Sequence, residues 1–236
     1  MPRDNESAEL LSAIKSPAKT LSEQAYEKLE ENIISLKLAP GEILSEAALA
    51  KELGLGRTPI REALQKLVGT GLVVILPHKG TLVTEINLLK QLQLLELRQA
   101  LEPLMVRSAA IRSTKEQKAL FNEIANKLEI ATNENDDISF MHYDNSLHLL
   151  ISQASNNEYL SRAMDIYHSL CRRFWYLHNK EASDITYSGK LHIALARQLA
   201  SGDADKAVEA NNHLIKYLIE FTLSTLKIDL TPAPAG

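Results

Sequence analysis

The chain has 236 residues, enough for one large or two ordinary domains, with 45% hydrophobic residues, 24% charged residues and a net charge of −4. This balance is typical of a globular protein and gives no overall signal for nucleic acid, so such a function must rest on local charge. The single cysteine, Cys171, excludes an intrachain disulfide and favours a reducing compartment. The N-terminus lacks the apolar core of a secretory signal and no apolar run could cross a bilayer, so we expect a cytoplasmic protein without membrane contact.

The N-terminal part of the chain predicts three helices. Residues 1–18 are polar and predict a flexible tail, and residues 21–37 have apolar positions at helical spacing. A short second helix is predicted to begin at Ser45, which suits an N-cap, and to end at Gly54. The third helix follows from Gly56 and completes a helix-turn-helix.

β-rich residues follow this third helix. The runs 72–76 and 81–86 flank the four-residue turn PHKG, which predicts a β-hairpin. A helix, a helix-turn-helix and a hairpin in this order make up a winged helix-turn-helix. We place this predicted domain at residues 19–86.

No strand signal follows residue 88. Helical segments are predicted at 88–112, 115–132, 136–154, 157–180, 184–201 and 203–228. Their short connections predict an all-α antiparallel helical bundle over residues 87–230, followed by a disordered tail at 231–236. The expected fold class is therefore mostly α, with a small β-hairpin wing on the N-terminal domain.

Positive charge is concentrated around the third helix. Residues 57–79 contain four basic side chains and one acidic side chain, whereas residues 19–90 contain nine of each. In a helix-turn-helix, the N-terminal residues of the second helix reach base edges in the major groove. Arg57, Thr58 and Arg61 occupy that end, and arginine can bind guanine through two hydrogen bonds. Each arginine alone could be an ordinary solvated charge, but the helices, turn and hairpin together favour DNA contact.

The segment LSEAALAKELGLGRTPIREALQKLVGTGLVVILPHKGTLV resembles the DNA-binding domain of GntR-type bacterial transcription regulators. The resemblance covers about residues 22–86, and its most diagnostic part is RTPIREAL at residues 57–64. The resemblance implies phosphate and base contacts from Arg57, Thr58, Arg61, Lys79 and Gly80. Gly56 departs from the family pattern, because it replaces the usual serine or threonine and removes a hydroxyl that could contact phosphate or cap the helix.

Asp144 and His148 are four residues apart in a predicted helix and therefore share one face. A carboxylate and an imidazole at that spacing can bind one metal ion, and His192 and His213 on later helices could complete the site. Three imidazoles and one carboxylate suit Zn²⁺, Ni²⁺ or another late first-row ion. The chain has seven histidines, so the alternative is surface or core histidines with ordinary hydrogen bonds.

Residues 88–228 resemble the all-helical, FCD-type ligand-binding domain of the FadR branch of GntR regulators. The landmarks are ELR at 96–98, LEP at 101–103, Asp144 with His148, Asn156-Asn157, His192, and Gly202-Asp203. This resemblance implies a divalent metal ion, zinc or alternatively nickel, held by Asp144, His148 and His192.

His213 matches this family pattern less well. It lies one position before the family's last histidine, where Leu214 stands, so a loop adjustment, water or an effector carboxylate would have to complete the site. The stretch AVEANNHLIKYLIEF at 207–221 is similar to a vanillate-regulator-like subgroup.

Arg98 lies in an otherwise apolar stretch of the first bundle helix, where a buried arginine needs an anionic partner. In this family an effector carboxylate near the metal would serve, and the alternative is a salt bridge to Glu102. The cluster RRFWY at 172–176 could be a nucleic-acid patch. Its place in the bundle favours aromatic side chains in the core or pocket wall and arginines in solvent.

These features together predict a ligand-responsive transcription regulator, and repression is the usual mode in the family. Palindromic operators mirror two-fold symmetry, so we expect a homodimer on double-stranded DNA, switched by a small organic acid bound near the metal. A metal-free regulator that senses acyl ligands is one alternative. A metallohydrolase built on Asp144, His148 and His192 is another, but the sequence has no HExxH, phosphate-binding glycine loop or nucleophile elbow, so no enzyme is expected.

Overall fold

The computed structural model describes residues 19–182 and 185–229, with backbone alone at 179–182 and 226–229. The tails predicted at 1–18 and 231–236 lie outside the described residues. The helices of the described part are α1 (Leu21–Ile34), α2 (Glu46–Leu53), α3 (Arg57–Gly69), α4 (Leu88–Arg112), α5 (Lys115–Asn133), α6 (Asp137–Ser155), α7 (Glu158–Ala182), α8 (Thr186–Ser201) and α9 (Ala204–Asp229). The strands are β1 (Ile43–Leu44), β2 (Val73–Leu76) and β3 (Gly80–Val83).

The predicted fold class is confirmed, and the predicted helices correspond to those observed. α4 continues through Pro103 as a single helix. α1 ends at Ile34, three residues before its predicted end, because Leu36 takes a left-handed conformation with φ of 60°. None of the helices in the described part is long and apolar enough to cross a membrane.

The wing is a three-stranded antiparallel sheet in the order β1-β3-β2. The predicted hairpin is confirmed, with Val73 of β2 opposite Val83 of β3. β1 pairs with the other edge of β3, where Ile43 lies opposite Leu82. The sequence does not predict β1, because two residues are too few to show the alternation that marks a strand.

Caps set the boundaries of α2 and α3. Ser45 caps α2 as predicted, and its Oγ accepts a hydrogen bond from the backbone N of Ala48 at 3.4 Å. Gly54 ends α2 in a left-handed conformation with φ of 64°. Gly56 precedes α3 and provides no side-chain cap, so the first-turn amides of α3 keep capacity to bind an anion.

The chain forms two compact units. The head unit combines residues 19–88 with residues 163–181 of α7, and the bundle unit contains residues 89–162 and the described residues from 182 onward. α7 is one continuous helix that contributes residues to both units. The boundaries drawn from the sequence, 19–86 and 87–230, assign all of α7 to the second domain and stay a prediction.

The head unit has its own apolar core, formed where α1 packs against α3. Residues from α1, α2, α3 and the sheet contribute to it, and Leu170 of α7 packs against it. The largest fully buried side chains of this core are Leu29, Ile33, Ile60, Leu67 and Leu72. Residues 163–181 of α7 are therefore part of the head by packing, although the chain reaches them about 75 residues after the end of residues 19–88.

In the bundle unit, α8 packs against α5 and α9, and α6 packs against α5. Phe121, Phe140 and Leu195 are among its buried apolar residues. A Cβ at Gly189 of α8 would collide with the Thr132 side chain of α5, so glycine permits the close approach of these two helices. This close approach fixes the position of α8, which carries His192 three residues later.

Candidate nucleic-acid interface and metal centre

α3 presents the predicted DNA-contacting side chains to solvent. Its period of 3.6 residues separates a buried face from an exposed one. The buried face carries the apolar residues Ile60, Ala63, Leu64 and Leu67, which are at most 2% exposed. The residues Arg57, Thr58 and Arg61 are all exposed at the N-terminal end of the helix.

Lys79 and Gly80 lie at the exposed tip of the wing. The backbone N of Lys79 donates to the carbonyl of Leu76 at 3.1 Å and closes the turn. His78 and Gly80 have φ values of 62° and 96°, in the region that favours glycine. The turn itself therefore favours glycine at position 80. This requirement is separate from the phosphate contact predicted for Gly80.

Arg61 is held by a carboxylate whose role the sequence does not reveal. Its Nε donates to both oxygens of Glu46 at 3.2 Å, and its Nη2 donates to Oε2 at 2.9 Å. These hydrogen bonds lower the pKa of the Glu46 carboxyl below its ordinary value. Glu46 is the first residue of α2, so the contact joins the two helices of the helix-turn-helix.

Asp144, His148 and His192 come together in the bundle unit. Their ligand atoms all lie within 4.8 Å of one another. Oδ1 of Asp144 is 3.4 Å from Nε2 of His148 and 3.0 Å from Nε2 of His192. The three side chains are buried, because α6 presents Asp144 and His148 on one face and α8 brings His192 against them.

The electrostatics of this group favour an ionised carboxylate. Burial alone would raise the pKa of Asp144, but the charge and hydrogen bonds of His148 and His192 oppose it and hold the pKa well below its usual range. An ionised carboxylate is the form that binds a metal ion.

The orientation of His192 calls for either a second ring proton or a metal cation at this group. Its Nδ1 lies 2.7 Å from the backbone oxygen of Ser188, and a carbonyl oxygen can only accept, so Nδ1 carries a proton. In the neutral imidazole, Nε2 then has a lone pair and faces Oδ1 of Asp144 at 3.0 Å. Two acceptors at that distance need a proton or a cation between them. One carboxylate and two imidazoles fit a late first-row divalent ion.

His213 does not join this group. Its side chain is exposed on α9, and the next residue, Leu214, is fully buried. One residue along a helix is about 100° of rotation, which separates the two side chains onto different faces. Within the described residues, the group that can hold a metal ion consists of Asp144, His148 and His192.

Arg98 is buried and paired with Glu102. Its Nε donates to Oε1 of Glu102 at 2.7 Å, and both side chains are about 5% exposed. The salt bridge that the sequence left open as an alternative is therefore present. Glu102 therefore already supplies the anionic partner that a buried arginine needs.

The sequence missed the polar contacts by which α7 joins the head unit. Arg173 is 3% exposed, in contrast to its predicted place in solvent, and donates from Nη1 to the carbonyl of Thr84 at 2.9 Å and from Nη2 to Oγ1 of Thr84 at 3.1 Å. Ser169 donates to Oε1 of Glu30 at 2.7 Å. No periodic signal could predict these pairs, because 89 and 139 residues separate the partners.

Two family models match the chain. The FCD domain matches residues 93–216, more than half of the chain, and the gntR family of bacterial regulatory proteins matches residues 21–83. The chain belongs to the GntR family. Its FCD domain is the FadR-type C-terminal domain, so the branch implied by the sequence resemblance is confirmed.

Relatives of this GntR-family chain match it over most of their length. It is 24% identical to the HTH-type transcriptional repressor RspR of Escherichia coli over 205 residues, 87% of this chain and 90% of that protein. It is 28% identical to the uncharacterised HTH-type transcriptional regulator YieP of Escherichia coli over 218 residues, 84% of this chain and 94% of that protein. The solved structure of Escherichia coli McbR/YncC covers 89% of this chain and 100% of that chain, with a TM-score of 0.72 and 21% identity, and shares its fold.

These relatives are transcription regulators and not enzymes, so the prediction that this GntR-family chain is not an enzyme is confirmed. Members of the family bind DNA operators and typically dimerise. The metallohydrolase alternative is therefore discarded.

Proposed function

We propose that this GntR-family regulator is a cytoplasmic repressor that binds its operator as a homodimer and responds to a small organic acid bound beside a metal ion. The buried group of Asp144, His148 and His192 carries the proposal, because three side chains of metal-ligating types that meet in the bundle unit need a role other than DNA contact. The name of RspR, a repressor, supports the proposed sign of regulation.

Arg57, Thr58 and Arg61 would contact bases and phosphates in the major groove, and Lys79 and Gly80 would contact the backbone or the adjacent minor groove. The exposure of all five residues and the local positive charge support this assignment. Members of the family typically dimerise, which supports a homodimer. On a palindromic operator such a homodimer would present two copies of α3 one helical turn apart.

Asp144, His148 and His192 would hold a divalent metal ion, zinc or alternatively nickel, through one carboxylate oxygen and two imidazole nitrogens. Three protein ligands leave a tetrahedral ion one position at which its positive charge can attract an effector carboxylate. Arg98, which is buried and paired with Glu102, is a second candidate to bind that carboxylate.

The DNA assignment is tested by titration of a duplex from the region upstream of the protein's own gene. Arg61→Ala should weaken specific binding by about 5- to 150-fold, the range of one bidentate arginine–guanine contact. Arg162→Ala is the matched control, because Arg162 is an exposed arginine of the bundle unit with a side chain 73% accessible. Equal affinity of wild type and Arg61→Ala would contradict the assignment.

A further inference from the structure

Glu46 forms an ion pair with Arg61, one of the residues proposed to contact DNA. The proposed function gives Glu46 no role. Glu46 begins α2, and Arg61 lies in the second turn of α3. Their side chains are 35% and 63% exposed, so the pair lies at the surface where α3 would meet DNA. The contact spans 15 residues of sequence and depends on the packing of α2 against α3.

The geometry of the pair divides the guanidinium of Arg61 into two edges. The carboxylate of Glu46 accepts from Nε and Nη2, which occupies one edge. Among the described residues, Nη1 makes no hydrogen bond, so the edge formed by Nη1 and Nη2 remains open. That edge is a planar fork that can donate to O6 and N7 of one guanine. Glu46 therefore holds the plane of the guanidinium and leaves the base-reading edge available.

We propose that Glu46 is a positioning residue that orients Arg61 to read a guanine and so contributes to operator specificity. The proposal rests on the DNA contact proposed for Arg61. A flexible arginine loses rotamer freedom when it binds, and a side chain already held in the bound orientation loses less.

Glu46 also has an unfavourable effect, because it lowers the affinity of the protein for DNA of any sequence. Its negative charge lies where phosphates would approach, so it weakens binding to every sequence by electrostatic repulsion. A residue that lowers binding to all DNA but favours one base over the others increases specificity, since specificity is a difference between affinities. These two effects can be measured separately.

The test is binding-site selection from a pool of duplexes with about 20 randomised base pairs, two helical turns, followed by affinity measurement on the enriched duplex and its single-base variants. Arg61→Ala should remove the preference at one base pair in each half-site. Glu46→Gln should weaken the preference at that same base pair by about fivefold or more, the lower limit for a bidentate contact, and should leave affinity for a random duplex unchanged or higher. Glu52→Gln is the matched control, because Glu52 is an exposed acid on the same helix and also adds one unit of net charge when replaced.

The outcomes distinguish the inference from the proposed function. If wild type enriches no motif, the proposed DNA-binding function itself is contradicted. If wild type enriches a motif and Glu46→Gln keeps every base preference, with or without a general rise in affinity, the positioning role is overturned and the function stands. If Arg61→Ala loses no base preference, Arg61 does not read a base and the inference fails for that reason.

Discussion

At the residue scale, the group of Asp144, His148 and His192 is the feature that most needs an explanation. Three buried polar side chains with facing acceptor atoms are costly unless a proton or a cation lies among them. His213 has no such constraint, because its side chain is exposed. Replacement of His148 or His192 should therefore weaken metal binding, whereas replacement of His213 should not.

His148→Ala and His192→Ala should each weaken binding of Zn²⁺ by at least about tenfold, since even the loss of an outer partner of a metal ligand has an effect of that size. His213→Ala should bind Zn²⁺ as wild type does. The measurement is competition of each variant with a zinc indicator at fixed pH. Equal weakening in His213→Ala and His148→Ala would contradict a site formed by Asp144, His148 and His192.

Gly56 offers a second residue-scale prediction. Gly56→Ser should stabilise the head unit by about a few tenths of a kcal/mol, because a serine hydroxyl can cap a first-turn amide where glycine makes no side-chain hydrogen bond. The backbone there, with φ of −68°, suits serine, and the added Cβ would meet Cδ of Pro59 at an ordinary 3.5 Å. Hydrogen exchange of the α3 amides measures the effect.

Gly54→Ser is the control for this capping effect. It places the same side chain two residues earlier, at a φ of 64°, where it should destabilise the unit by about 1 kcal/mol or more. If Gly56→Ser and Gly54→Ser change the stability of the head unit in the same direction, capping is not the cause of the change in Gly56→Ser.

At the element scale, sequence periodicity predicted the helices well, because each buries one face at a spacing of 3.6 residues. The same reasoning placed Asp144 and His148 on one face of α6. It could not predict β1, which is too short for a pattern, or the contact of Glu46 with Arg61, which depends on how α2 packs on α3. It also could not show that Leu214 fills the buried position beside His213, because that depends on the rotation of α9 against its neighbours.

α7 should stabilise the wing of the head unit through the hydrogen bonds of Arg173 to Thr84. Arg173→Ala should destabilise the wing and its attachment by about 1–3 kcal/mol, since the half-buried carbonyl of Thr84 loses its hydrogen-bond donor. Burial lowers the pKa of Arg173 to about 10, so the guanidinium is still charged at neutral pH in the folded protein. Hydrogen exchange of residues 80–86 should accelerate accordingly.

Arg162→Ala provides the comparison for Arg173→Ala. Arg162 lies on the same helix, but its ion pair with Glu158 is exposed, and such pairs contribute little to stability. Hydrogen exchange of residues 80–86 in Arg162→Ala should therefore match that of wild type. Unchanged exchange in Arg173→Ala would show that α7 does not hold the wing.

At the scale of the whole molecule, the proposed DNA contacts and the proposed effector site lie in different compact units. α7 is continuous between residues of both units, and in the head unit it contacts α1 through Ser169 and the base of the wing through Arg173. A signal between the sites is a coupling free energy, and it requires an effector that prefers one of two states of the protein.

The most direct test of this account is the affinity of zinc-loaded protein for its selected duplex, measured by fluorescence anisotropy with and without a carboxylate that raises the melting temperature. That carboxylate is found by a screen of melting temperature with acetate, lactate, malonate, citrate and benzoate. A bound effector raises the melting temperature because it stabilises the folded protein by mass action. The stabilising carboxylate should change the Kd for DNA by about 5- to 150-fold in wild type and leave it unchanged in His148→Ala. The same change in both proteins, or no change in wild type, would contradict this prediction.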